Sequence, residues 1–374
     1  MIYFDNAATG GFKPRSVSDT ANTVIRYLSA NPGRSGHRLS VSGAEMVFNC
    51  RKILSEFFGG TPERVVFTKN CTEALNVAIF GTLKKGGHVI TTTFEHNSVL
   101  RPLYFLKNQG LIKLDVISPS LSVPLELAIK NAIRENTYMV VTTAVSNVTG
   151  KAFPIDRIGK ICKNHNLLYL VDGAQGGGHL PINIDRQNIS MLCLAGHKGL
   201  MGIMGSGVLI FNEQTEISPL IMGGTGSESF NLNQPECYPE RLESGTLNLP
   251  AIASLYEGVR IIKDNLENYS KHLIESTQKI IDGLNTIPKA RCYSLANRSG
   301  IVAFDLLNMP SEDVASALNY EYDIAVRGGL HCAPLTHKFL GTHENGLVRA
   351  SLSVQNSTRE IYYFLNAVRK LAEG

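Results

Sequence analysis

Between residues 65 and 211 the chain alternates short apolar, β-branched runs with segments of helical periodicity, and this alternation narrows the possible folds more than any other feature. The runs at 65–68, 88–92, 113–117, 138–142, 167–171, 191–195 and 207–211 read as strands. Near-continuous apolar strands of this kind predict a largely parallel sheet with helices on both faces. Two intervening segments read as crossover helices. One, 124–135, opens on proline and carries Leu127, Ala128 and Ile133; the other, 155–165, follows Pro154. After Gly245 the texture changes to a long helical stretch (250–284), a strand (300–306), a helix (312–318), a strand (323–327) and a final helix (357–372). That order predicts a smaller α+β domain hinged on the long helix. Gly223, Gly224 and Gly226 mark an ordered loop, because composition is ordinary on either side.

Composition narrows the function classes. A chain of 374 residues, 43% hydrophobic and 18% charged, is globular and can bury about three quarters of its unfolded surface. The net charge of +4 comes from interspersed residues, which argues against nucleic acid or a membrane surface as partner and favours small anionic ligands. Met1 leads into Ile2, Tyr3 and Phe4 without a basic n-region, and no run of about 18 apolar residues occurs, so a cytoplasmic protein is expected. The seven cysteines are odd in number and include no CxxC pair, so no disulfide framework is expected. His331, Cys332, His337 and His343 cluster like zinc ligands, but their spacing matches no standard finger or HExxH pattern, and no metal is assigned.

In an open α/β sheet, ligands bind beyond the carboxyl ends of the strands. The first such end leads into Lys69-Asn70-Cys71-Thr72-Glu73, where free amides and the Thr72 hydroxyl suit a phosphate; a plain N-cap with an acidic first turn is the competing reading. Asp172 follows the fifth strand and could salt-bridge a protonated pyridine nitrogen, or it is a solvated loop acid. Gly196-His197-Lys198 follows the sixth strand, and a lysine there, flanked by glycine, can form a Schiff base or simply be solvated. Asp172 and Lys198 end successive strands, so they are expected to face one crevice.

With these motifs in order, the sequence resembles the fold-type I pyridoxal phosphate enzymes of aminotransferase class V, and within them the cysteine desulfurase and selenocysteine lyase family. The resemblance runs from Phe4-Asp5-Asn6-Ala7-Ala8-Thr9 to the final helix. It implies a large, mostly parallel seven-stranded domain (15–255), a small α+β domain carrying the catalytic cysteine loop (256–374), and an N-terminal segment (1–14) packed on the small domain. It implies pyridoxal 5′-phosphate as cofactor, held by Cys71 and Thr72 at the phosphate turn, His96 on the ring, Asn147 and Gln175 near the phenolic oxygen, Asp172 at the pyridine nitrogen, His197 at the phosphate and Lys198 as the covalent anchor. Thr246, in Glu243-Ser244-Gly245-Thr246, is similar to a residue that reaches the neighbouring subunit's phosphate, which implies a homodimer.

The segment Arg327-Gly328-Gly329-Leu330-His331-Cys332-Ala333-Pro334 is similar to the short cysteine loop of the second desulfurase group, and Arg349 matches the grip on the substrate carboxylate, with Asn147, His37 and Arg327 alongside. The implied reaction takes sulfur from L-cysteine, or selenium from L-selenocysteine, to give L-alanine. Lys198 moves the Cα proton, His96 assists at the substrate thiol, and Cys332 becomes a persulfide for a possible acceptor protein. A class V transaminase, epimerase or β-eliminating lyase is the alternative, and Cys332 discriminates because those reactions need no thiol. Glycines, Pro334, His331 and nearby Arg327 suggest an exposed, mobile loop that favours thiolate. Three positions depart from the pattern: Ala195 replaces a phosphate-bonding serine or threonine, Cys71 a threonine, and Leu330 a second histidine.

Overall fold

The computed structural model describes every residue except Phe12, Leu121, Asn308 and Gly374. The chain opens with β1 (Ile2–Tyr3), α1 (Arg15–Tyr27), α2 (Arg38–Phe58), β2 (Val65–Thr68), α3 (Cys71–Gly81), β3 (Gly87–Thr92) and α4 (Asn97–Asn108). It continues through β4 (Ile112–Ile117), α5 (Leu125–Asn131), β5 (Thr137–Thr143), α6 (Ile155–Asn164), β6 (Leu168–Asp172), β7 (Met191–Ala195) and β8 (Gly207–Phe211). The last third holds α7 (Leu249–Asn285), β9 (Ala290–Cys292), β10 (Ile301–Leu306), α8 (Ser311–Tyr322), β11 (Ile324–Ala325), α9 (Pro334–Leu340), β12 (Val348–Ser351) and α10 (Thr358–Glu373).

Seven strands form one sheet in the order β2-β8-β7-β6-β5-β3-β4. The expected α/β fold and mostly parallel sheet are both present. From β7 to β4 every neighbouring pair is parallel, whereas β8 runs antiparallel to both β7 and β2. The reason is local: residues 196–206 contain no helix, and a parallel return needs a crossover of a dozen or more residues. Side chains alternate along β7, so that Leu192 and Leu194 join the core beneath α1, α2, α5, α6 and α7, while Met191, Cys193 and Ala195 join the core beneath α3 and α4.

A third core lies in the C-terminal part, where β12-β10-β9 form an antiparallel sheet against α7, α8 and α10. Phe4 is fully buried in this core, and β1 pairs in parallel with β11. The expected strand at 323–327 shrinks to two residues. Asp323 is a left-handed C-cap of α8, and beyond Ala325 the backbone swings over so that Arg327 bridges Arg349 of β12. The 37-residue α7 packs its first half on α1 and α2 and its second half on the small core, so one helix reaches both layers.

Candidate active site

The parallel strands carry their carboxyl ends to one edge, and the loops there border a partly open cavity. Cys71 and Thr72 after β2, His96 after β3, Asn147 after β5, Asp172 at the end of β6 with Gln175 beyond it, and His197 and Lys198 after β7 all line it. Topology accounts for this grouping, because a parallel sheet presents successive strand ends to the same crevice.

At the α3 end, the Asn70 side chain accepts from the Glu73 amide at 2.9 Å, so the amides of Cys71 and Thr72 have no intrahelical acceptor and are available to an anion. Thr72 Oγ1 lies 2.8 Å from Ser98 Oγ. His96 caps α4 through Nδ1, which accepts from the Ser98 amide at 3.0 Å. Burial lowers the pKa of His96, so the ring is neutral and its proton resides on Nε2.

Asp172 is 3% exposed, and its Oδ1 accepts from the Ala174 amide at 2.9 Å and from Cys71 Sγ at 3.6 Å. Among the described residues, no hydrogen bond reaches its Oδ2. Across the cavity, burial first and the nearby Arg349 charge second lower the pKa of Lys198, which favours the free amine. His197 is pushed down to about 4 by burial and by Lys198, and its neutral ring bonds Thr9 Oγ1 at 3.0 Å through Nδ1. The N-terminal segment bonds to two of the loops that line the cavity. Gln175 Nε2 donates to the Ala7 carbonyl at 2.8 Å, and Lys13 Nζ donates to the His197 carbonyl at 2.7 Å.

The small core contributes Arg349 just outside the cavity. Arg349 is 2% exposed; its Nη2 pairs with Asp5 Oδ1 at 3.0 Å and its Nη1 donates to the Asn147 carbonyl at 3.0 Å. It stands behind Asn147 and does not line the cavity itself, and its Nε has no partner among the described residues. Arg327 exchanges backbone hydrogen bonds with Arg349, at 3.2 and 2.8 Å. His331 and Cys332 both adopt left-handed backbone, with φ of 48° and 55°, which turns the loop sharply and leaves the Cys332 thiol exposed.

That loop is anchored by its carbonyls. Asn147 Nδ2 donates to the His331 carbonyl at 2.7 Å, and the Asn97 amide, next to His96, donates to the Cys332 carbonyl at 2.7 Å. Both carbonyls are thus hydrogen-bonded to the turns that follow β3 and β5. His331 does not contribute a cation to the thiol. It is buried, its pKa is pushed well below the usual value by burial and by Arg349, and its Nε2 is turned to the Leu347 carbonyl at 3.0 Å.

Two expected residues lie elsewhere. His37 caps α2 by accepting from the Ser40 amide at 3.3 Å, and Thr246 Oγ1 accepts from Asn31 Nδ2 at 3.5 Å. Ser40 Oγ donates in turn to the Asn31 carbonyl, so His37 and Thr246 belong to one surface region outside the cavity. Sequence reasoning also missed Glu95, which is fully buried. Its Oε1 accepts from Thr92 Oγ1 at 2.5 Å, its Oε2 has no partner among the described residues, and burial raises its pKa to about 8. A carboxyl beside His96 in an apolar strand-end context was the available signal.

The aminotransferase class-V family profile matches residues 2–364. A probable cysteine desulfurase of Pyrococcus abyssi is 33% identical over 388 aligned positions, covering 100% of this chain and 95% of the relative. A cysteine desulfurase of Escherichia coli is 29% identical, covering 99% and 93%. Among solved structures, an apo cysteine desulfurase of Thermococcus onnurineus superposes with a TM-score of 0.93 at 32% identity, covering 100% of this chain and 95% of that one.

Proposed function

The chain belongs to the aminotransferase class-V family, and from that premise we propose that it is a pyridoxal phosphate-dependent cysteine desulfurase that converts L-cysteine to L-alanine and a Cys332 persulfide. One observation carries the reading: a cavity at the strand ends joins an aspartate with a carboxylate oxygen and two helix amides that have no partner among the described residues to a lysine whose free amine is favoured, with an anchored loop presenting an exposed thiol nearby. The donor set fits the cofactor. Asp172 Oδ2 would pair with the ring nitrogen, the α3 amides, Thr72 and His197 would hold the phosphate, and Asn147 and Gln175 would flank the ring. When bound, the cofactor supplies an electron sink conjugated to the substrate Cα.

The protein's own residues do the rest. The guanidinium of Arg349 has hydrogens beyond those used by Asp5 and Asn147, and it orients the substrate carboxylate with Asn147 and Arg327. Lys198 Nζ takes the Cα proton. His96 Nε2 exchanges a proton with the substrate sulfur. Cys332 Sγ attacks that sulfur; the carbon–sulfur bond breaks, its electron pair stays on carbon and is protonated to give alanine, and the sulfur remains on Cys332. Residues 1–14 and 256–374 act as the small domain and 15–255 as the large one, a division supported by the β1–β11 pairing and the burial of Phe4. In a homodimer, the His37 and Thr246 surface would serve the partner's cavity. Seven free cysteines suit a reducing compartment such as the cytoplasm. Among the described residues, no helix is long and apolar enough to cross a membrane.

The test is turnover of purified protein with L-cysteine, L-selenocysteine and a thiol acceptor. Alanine and sulfide are expected in equal amounts, and Cys332→Ala should abolish sulfide release from cysteine while keeping the cofactor's visible band. Equal sulfide release by the variant refutes the persulfide step. Pyruvate without alanine points to β-elimination, and selenide alone to a selenocysteine lyase.

A further inference from the structure

Cys71 stands where the resemblance places a phosphate-turn threonine, yet its side chain faces a different part of the site. It is the first residue of α3 and 8% exposed, and its Sγ lies 3.6 Å from Asp172 Oδ1. We propose that Cys71 is a positioning residue for Asp172: with the Ala174 amide its thiol fixes Oδ1, so that Oδ2 is presented to the ring nitrogen of the bound cofactor. The inference rests on the pyridoxal phosphate reading above and assigns the thiol to the nitrogen end of the site, not the phosphate end.

Three features support it. The thiol must be the donor and the carboxylate the acceptor, because burial first and the Asp172 charge second hold the Cys71 pKa well above its usual value, and the proton stays on sulfur. Asp172 Oδ1 thus receives two donors from different directions, an N–H from its own loop and an S–H from α3, which together set the plane of the carboxylate. The arrangement also crosses the sheet. Asp172 ends β6, directly opposite Cys193 of β7, while Cys71 enters from the helix after β2 at the far edge. Thus the element that offers amides to an anion also steadies the acid. The same protonated, buried state removes Cys71 as a competing nucleophile, leaving sulfur chemistry to the exposed Cys332.

The proposal is tested with Cys71→Ala and Cys71→Ser on the full chain. Cys71→Ala should bind pyridoxal phosphate roughly three- to tenfold more weakly, as expected for losing a weak donor to a charged acceptor, and should shift the pH midpoint of the bound cofactor's absorbance. Cys71→Ser, which restores a hydroxyl donor, should recover both. A packing role would instead lower the apoprotein melting temperature in both variants and leave affinity and pH midpoint alone; that outcome overturns the proposal. The contact is checked without cofactor by the S–H infrared band of the apoprotein, isolated by subtracting the Cys71→Ala spectrum. Asp172→Ala should displace that band, and an unmoved band overturns the contact. If the band moves but the parent binds no pyridoxal phosphate, the cofactor reading itself fails, and the role for Cys71 with it.

Discussion

The cup around Asp172 and Lys198 and the loop bearing Cys332 are joined through Asn147 and Asn97, but different forces place their side chains. The cup residues follow directly from the ends of parallel strands, and their positions are inherited from a ladder of backbone hydrogen bonds and two apolar cores. The loop enters on only a short ladder to β12, through Arg327 with Arg349 and Gly329 with Leu347. Two successive left-handed residues and two carbonyl acceptors, at positions 331 and 332, hold it against Asn147 and Asn97 of the larger layer. Precision in the cup therefore belongs to the large sheet, whereas in the loop it belongs to that short ladder and a few contacts between layers. Under the proposed reading the second arrangement suits Cys332, whose thiol would have to meet both a substrate in the cleft and an acceptor outside it.

Four measurements sharpen or break this contrast. The largest effect is expected from Lys198→Ala, which should remove the visible band of the bound cofactor and cut alanine formation by about 10²–10⁴, as befits loss of a positioned base. A retained band would mean that the cup is not the cofactor site. Next comes Arg349→Lys, which keeps the charge and loses the planar fork. KM for cysteine should rise roughly 10- to 100-fold with the spectrum unchanged, and an unchanged KM would remove Arg349 from substrate binding.

Asn97→Pro addresses the loop alone. Asn97 is the first residue of α4, a position that tolerates proline, and His96 before it is extended (φ −69°, ψ 156°), so the substitution deletes the amide that bonds the Cys332 carbonyl while sparing the helix. Persulfide formation should slow by about three- to tenfold, the scale of one lost hydrogen bond, with cofactor affinity intact. Equal losses in both readouts would show that loop and cup are one unit.

The smallest effect concerns Glu95. Its carboxyl stays protonated in the fold up to about pH 8, whereas in the unfolded chain it ionises near the ordinary value of 4.5. Because the folded state binds the extra proton, the parent loses stability as pH rises between those values. Glu95→Gln escapes this loss, so its melting temperature should gain on the parent's by roughly 2–4 °C from pH 5 to 8 and run level above that. Parallel curves would contradict the protonated state.

Much of the cup was legible in the sequence. Strands at Met191–Ala195 and Gly207–Phe211 match their apolar runs residue for residue, and that places Asp172 and Lys198 on neighbouring strand ends. The antiparallel turn of β8 was not expected, because apolar content does not encode strand direction; the short connection at 196–206 was the clue. The loop was read less well. Its composition suggested an exposed thiol near cationic groups such as Arg327, and Cys332 is exposed with Arg349 close enough to act on it, but the Leu347 carbonyl that takes up His331 and the amide of Asn97 were not legible.

By itself, the sequence determined which elements form and, through motif order, which residue types gather at the strand ends. Periodicity and turn chemistry are local, and they act over a few residues. Only the tertiary structure decided what those residues bond: that Cys71 faces Asp172, that Arg349 is already held by Asp5 and Asn147, that Glu95 keeps its proton, and that His37 and Thr246 lie outside this chain's own cavity. Each of these depends on distance and desolvation between segments far apart in the chain, and residue type alone fixes neither.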